Sequence, residues 1–167
     1  ASAESHSGGA PRSLAALLTR MERFPAPPAA AFGDPGVHTG NCSKIIILTK
    51  RSGICAPVRE GKNVHAFSID APNRWLRLDY DPAEGEYFTV RELASYVGWP
   101  ILIRQTATRP IACLHADPTY FRNSVLACRG FGGLPNEVVV AWLNSSAIAF
   151  FHSSKVREAN QRVVPQV

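Results

Sequence analysis

Apolar residues in this sequence never run uninterrupted for longer than Val138–Leu143. A bilayer-spanning helix needs about 18 or more such residues in a row, so no transmembrane helix is expected, and no signal peptide of the charged-then-apolar kind is expected either. The elements of the fold must also be short, because 13 Pro and 12 Gly break the chain at close intervals. Within that limit the chain is rich enough in apolar residues to fold, at 46% hydrophobic and 19% charged. A monomer of 167 residues buries roughly 69% of its unfolded surface, which fits one domain or at most a small pair.

The patterning predicts an α+β order. Ser13–Phe24 places Leu14, Leu17, Leu18 and Met21 on one helical face, with Ser13 as N-cap. Phe32–Asn41 reads as a turn-rich loop. Ile45–Leu48, Val64–Ile69 and Trp75–Leu78 read as strands, as do Pro100–Gln105, Ile111–His115 and Asn123–Cys128. Thr89–Val97 fits a helix opened by a Thr89/Glu92 capping box. Asn136–Phe151 fits a helix capped by Asn136 and broken at Asn144-Ser145. Strands do not alternate strictly with helices, so the expectation is a curved, mostly antiparallel sheet with flanking helices in a single domain. Residues 1–12 are Ser/Gly/Ala-rich and read as a flexible tail or linker before a domain spanning 13–167. The single Met is Met21, as expected of a processed chain or of a fragment of a larger protein.

Lys and Arg total 18 against 13 acids, a net charge of +5, and 14 of the 18 are Arg. Arg makes planar bidentate contacts to phosphate and guanine, so anionic partners come first to mind. The charge is unevenly spread. Asn41–Lys62 carries Lys44, Lys50, Arg51, Arg59 and Lys62 against Glu60 alone, and Trp99–Pro135 carries four Arg against Asp117. The stretch between them, Asp70–Glu92, is acidic. Cys42, Cys55, Cys113 and Cys128 form no CxxC pair, and Cys113 with His115 falls short of a zinc set. Free thiols in a reducing cytoplasm are expected, with no metal.

Motifs for catalysis are weak. Asp117-Pro118-Thr119-Tyr120 resembles the Asp-Pro-Pro-Tyr loop of amino-methyltransferases, but Thr stands where the second Pro belongs and no Gly-rich cofactor loop precedes it. Arg129-Gly130-Phe131-Gly132 echoes an RNA-recognition strand and then lacks its aromatic. No Gly-x-Ser-x-Gly elbow exists. Trp75, Trp99 and Trp142 lie among apolar neighbours and read as core.

Three segments carry a family resemblance: Phe32–Asn41 with Thr39-Gly40-Asn41, Pro57–Val64 followed by Trp75-Leu76, and Pro100–Thr106 with Tyr120–Leu126 and Trp142–Ser145. Their order and spacing resemble the TaqI-like C-terminal specificity domain of adenine-N6 DNA methyltransferases and combined restriction-modification enzymes. The resemblance implies target recognition on double-stranded DNA, beside a covalently linked or separate catalytic domain. It places S-adenosylmethionine in that domain, leaves this chain without catalytic residues, and implies a bacterial cytoplasmic setting without membrane attachment. Candidate DNA contacts are Thr39, Gly40 and Asn41 as a phosphate-approaching turn, and Lys44, Lys50, Arg51, Arg59 and Lys62 as phosphate ligands. Arg104, Gln105 and Thr106 leave the end of an apolar strand, where Arg suits guanine or phosphate and Gln suits adenine. Arg122 and Asn123 precede another strand. The alternatives are a protein-interaction module docking on a separate catalytic subunit, and a degenerate fragment.

Overall fold

Ile101-Leu102-Ile103 shows how the core is organised. In the computed structural model, which describes residues 13–50 and 53–155, these residues form most of strand β7 (Ile101–Arg104). Side chains alternate along a strand, so Ile101 and Ile103 face one way and Leu102 the other. Both directions are buried. Ile101 and Ile103 pack with Val139, Val140 and Leu143 of helix α2 (Asn136–Leu143). Leu102 packs with Val58, Leu76, Phe121 and Val125. A strand covered on both faces needs no polar partner residue, and the sequence accordingly reads as an unbroken apolar run. Each fully buried aliphatic side chain here contributes roughly 1.5–3 kcal/mol.

The fold is α+β. The expected curved sheet is divided in two. The first has the order β1 (Phe32–Gly33), β10 (Val125–Cys128), β7, β8 (Ala112–Leu114), all antiparallel. The second has the order β2 (Ile46–Ile47), β6 (Arg74–Arg77), β3 (Cys55–Arg59), β9 (Tyr120–Phe121), and its β3–β9 pair is parallel. One apolar cluster draws residues from both sheets, and a second fills the space between the first sheet and α2. A two-stranded hairpin, β4 (Val64–His65) with β5 (Ser68–Ile69), completes the set.

Helix α1 (Leu14–Glu22) follows its expected outline, with the Ser13 hydroxyl accepting from the Ala16 amide at 3.2 Å. The break at Asn144-Ser145 also stands, separating α2 from α3 (Ser146–Lys155). Asn144 does more than end a helix. Its side-chain amide donates to the Ala112 carbonyl at 2.8 Å and its Oδ1 accepts from the Ala112 amide at 3.0 Å. It thereby seals one residue of β8, the edge of the first sheet.

Several expected elements take other forms. Val64–Ile69 is not one strand, because Ala66-Phe67 turns it back as a hairpin. Phe67 adopts a φ of 68°, and its amide donates to the Ala112 carbonyl at 3.0 Å. Thr89–Val97 is not an α-helix: the Thr89 backbone pairs with His38 in both directions, at 2.7 and 3.0 Å, leaving only a 3-10 turn at Leu93–Tyr96. Ile45–Leu48 is cut to a 3-10 turn and the two residues of β2, with Leu48 exposed. The cap of α2 is Pro135 rather than Asn136. Trp75 and Trp99 are half-buried, whereas Trp142 is exposed. All four cysteines are free, and among the described residues no helix is long and apolar enough to cross a membrane.

Candidate nucleic-acid interface

Strand β3 ends at Arg59, and the next residue, Glu60, opens a 3-10 turn, Gly61–Asn63. The turn is fixed by a reciprocal capping box, in which the Glu60 amide donates to Asn63 Oδ1 at 2.8 Å. The Gly61 amide donates to Ser124 Oγ at 2.9 Å. Gly is required at this point, since a Cβ would lie 2.6 Å from the Ser124 carbonyl oxygen. That carbonyl in turn accepts from the Gln105 amide at 3.0 Å. The Arg122 amide donates to the Arg59 carbonyl at 2.9 Å, and the Asn123 amide to the Val37 carbonyl at 3.1 Å. Backbone bonds therefore bring four distant stretches of chain, around residues 37–39, 59–63, 104–106 and 122–124, to one place.

Cations converge there on a single carboxylate. Glu60 Oε1 accepts from Arg122 Nη1 at 2.9 Å, and Oε2 lies 2.8 Å from Lys62 Nζ and 3.5 Å from Arg74 Nε. Burial pushes the Glu60 carboxyl up, but hydrogen bonds from Lys62 and Arg122 outweigh it and hold it below the ordinary carboxylate value. Arg122 Nη2 donates to Thr39 Oγ1 at 3.4 Å. Arg104 adds a fourth cation: its side chain runs beside Gly61, its Nε donates to the Thr106 carbonyl at 3.1 Å, and it makes no ion pair among the described residues. Thr39, Gln105, Thr106 and Asn123 are partly exposed beside these charges. The arrangement can take an anion that spans several donors.

The remaining candidates are held elsewhere. Gly40, at φ +52°, lies tight against Tyr87, and Asn41 is committed to the same loop, donating to the Gly85 carbonyl at 2.9 Å and accepting from the Tyr87 amide at 2.8 Å. Lys44 pairs with Glu86 at 2.6 Å, and Tyr80 donates to the same carboxylate at 2.6 Å. The hydrogen bonds from Lys44, Tyr80 and the Ala83 amide bring Glu86 down to about 2. Arg59 is buried at 6% exposure, donating to the Asp70 carbonyl and to His115 Nδ1 at 3.3 Å each, with Asp117 at 3.8 Å. It is a structural cation, closed to phosphate. Lys50 lies over the Trp75 ring at 5.2 Å. Arg51 lies outside the described residues.

Sequence reasoning missed three members of the cluster. Glu60 and Ser124 stand in the segments that carry the family resemblance without a site role, and Arg74 falls in the acidic Asp70–Glu92 stretch. The signal available was Asn63 three residues after Glu60, the spacing of a capping box.

The Asp117–Tyr120 segment does not present a stacking aromatic. Tyr120 begins β9 and is buried edge-on to Tyr96 at 4.9 Å. A cavity of about 200 Å³ lies alongside, lined in part by Tyr96, Trp99, His115 and Pro118. Burial pushes His115 down to about 4 and the Cys113 thiol up to about 11, and among the described residues no three metal-ligating side chains cluster. No protein-family model and no curated protein matches the chain.

Proposed function

We propose that this domain grips double-stranded DNA and reads target bases for an adenine-specific methyltransferase or restriction-modification catalytic domain, linked to it or separate. The observation that carries the reading is the excess of cations at Glu60: Lys62, Arg74 and Arg122 meet one carboxylate, and Arg104, without an ion pair among the described residues, runs beside the adjoining Gly61. Polar side chains of the kinds that meet base edges, Gln105 and Asn123, stand in the same place. In this division of labour Lys62, Arg74 and Arg122 hold phosphates, while Arg104 and Gln105, at the end of β7, face bases. Adenosylmethionine and the methyl-transfer step belong to the catalytic domain, and no residue here is assigned to them.

The test is duplex binding as a function of salt. With about three phosphates neutralised, log K should fall against log salt with a slope near −2.7. A flat dependence, or no binding at low salt, rejects the reading. In the enzyme that carries this domain, Arg104→Ala should relax sequence discrimination by about 1–3 kcal/mol at one position.

One observation favours the second reading, a protein-docking module. Val138 and Trp142 are exposed four residues apart on α2, and Leu134 is exposed just before the helix begins. A domain that binds a catalytic subunit through this stripe and ignores DNA would show salt-insensitive association with protein alone.

A further inference from the structure

Glu60 sits inside the cation cluster. Its side chain is only 14% exposed, three basic side chains reach it, and the backbone fixes its position as the cap of the 61–63 turn. A carboxylate held in this way offers what a phosphodiester offers: two oxygens sharing negative charge and accepting charge-assisted N–H bonds.

Arg122 meets this carboxylate through Nη1 alone. The other side of the guanidinium, Nε with Nη2, is an edge that grips carboxylate or phosphate through two parallel bonds. Here Nη2 reaches only the Thr39 hydroxyl, at 3.4 Å, and Nε is buried with no acceptor among the described residues. A buried N–H without a partner is unfavourable. Arg122 therefore gains by turning that edge toward a second anion, and Glu60 is what it must leave to do so.

We propose that Glu60 is a specificity-determining carboxylate: it competes with DNA phosphate for Lys62, Arg74 and Arg122 and keeps sequence-independent attachment weak. The inference rests on the duplex-binding reading above. Phosphate contacts carry no sequence information. A carboxylate that opposes them lowers affinity for every duplex alike, and the base contacts assigned to Arg104 and Gln105 then decide a larger share of the total. Glu60 remains charged at neutral pH because Lys62 and Arg122 hold its carboxyl low.

Glu60→Gln tests this in the full chain. Gln keeps the side-chain length and an acceptor oxygen for the Asn63 amide, and it removes the charge. Binding of a short mixed-sequence duplex should tighten about tenfold at fixed low salt, and the salt slope should steepen by up to about one unit. Equal or weaker binding by a folded Gln variant, with the wild type binding, overturns the proposal and makes Glu60 an aligning residue. Failure of the wild type to bind at low salt rejects the duplex reading itself, and the competition with it. If Glu60→Gln does not fold, Glu60→Asp retains charge and cap while drawing the carboxylate back. It should tighten binding about twofold to threefold, and unchanged or weaker binding again overturns the proposal.

Discussion

Glu60 and Glu86 both sit among basic side chains that the sequence offers as DNA contacts, but their neighbourhoods are built differently. Glu86 has one cation, Lys44, and fills its remaining capacity with the Tyr80 hydroxyl and the Ala83 amide. Charge is balanced there, and every donor serves to pin the loop at residues 80–87. Glu60 has three cations and shares them unevenly, leaving Arg122 Nε unpaired. The difference teaches that a count of basic residues says little about an anion site. What decides is whether the local acids, hydroxyls and carbonyls use up the donors.

The largest expected effect lies on the Glu86 side. Gly40→Ala must hold a Cβ at φ +52° and 2.2 Å from the Tyr87 carbonyl oxygen. Strain and collision together should cost about 3 kcal/mol or more by denaturant unfolding. A loss under about 1 kcal/mol would show that the pinned loop yields easily. On the Glu60 side, Lys62→Ala should weaken all duplexes about tenfold, or about 1.4 kcal/mol, and flatten the salt slope by about 0.9. An effect confined to one sequence would make Lys62 a base reader.

Arg59 provides a control outside both neighbourhoods, through the histidine it contacts. Burial, with the Arg59 charge adding to it, depresses His115 from 6.5 to about 4. The unfolded state binds the proton first, so this contribution to stability is intact above pH 6.5 and is lost as pH falls toward 4. Unfolding midpoints measured across that window should drop with acid, and His115→Gln should flatten the drop. An unchanged pH profile in the variant would assign the acid sensitivity to other groups. The smallest effect is expected for Lys44→Ala. It should leave the duplex salt slope unaltered and barely move the thermal midpoint, because an exposed ion pair contributes little. A slope flattened as much as by Lys62→Ala would erase the distinction between the two carboxylates.

The sequence was most legible where local signals and tertiary packing agree. Ile101-Leu102-Ile103 is apolar throughout because both of its faces are covered, and Ser13 announces α1 by capping it. Val64–Ile69 misled because its alternation continues through a two-residue turn. That turn puts Phe67 in left-handed backbone without the Gly or Asn that usually marks such a place. The Thr89/Glu92 spacing misled because capping boxes are local, whereas His38 takes the Thr89 backbone from across the molecule. At the interface, the clustering of positive charge was visible and its sorting was not. Arg59 and Lys62 are three residues apart, yet one is sealed beneath His115 and Asp117 while the other is the exposed residue of its turn and meets Glu60. Only the turn between them, and the strands packed against each, separates a structural cation from an available one.

The amide of Asn144 stands in for a neighbouring strand along β8, since it takes the same two backbone groups of Ala112 that an incoming strand would use. This gives the residue a part in the ageing of the molecule. Asn is chemically labile, and hydrolysis of its side chain to a carboxylate would take one of two N–H donors from the Ala112 carbonyl, leaving the Phe67 amide alone there. It would also set a negative charge beside that oxygen. The helix break would survive while the seal on the edge weakened, and loosened edges recruit copies of themselves. A slow covalent change at one side chain would thus surface as aggregation on storage, well before any loss of helix or core.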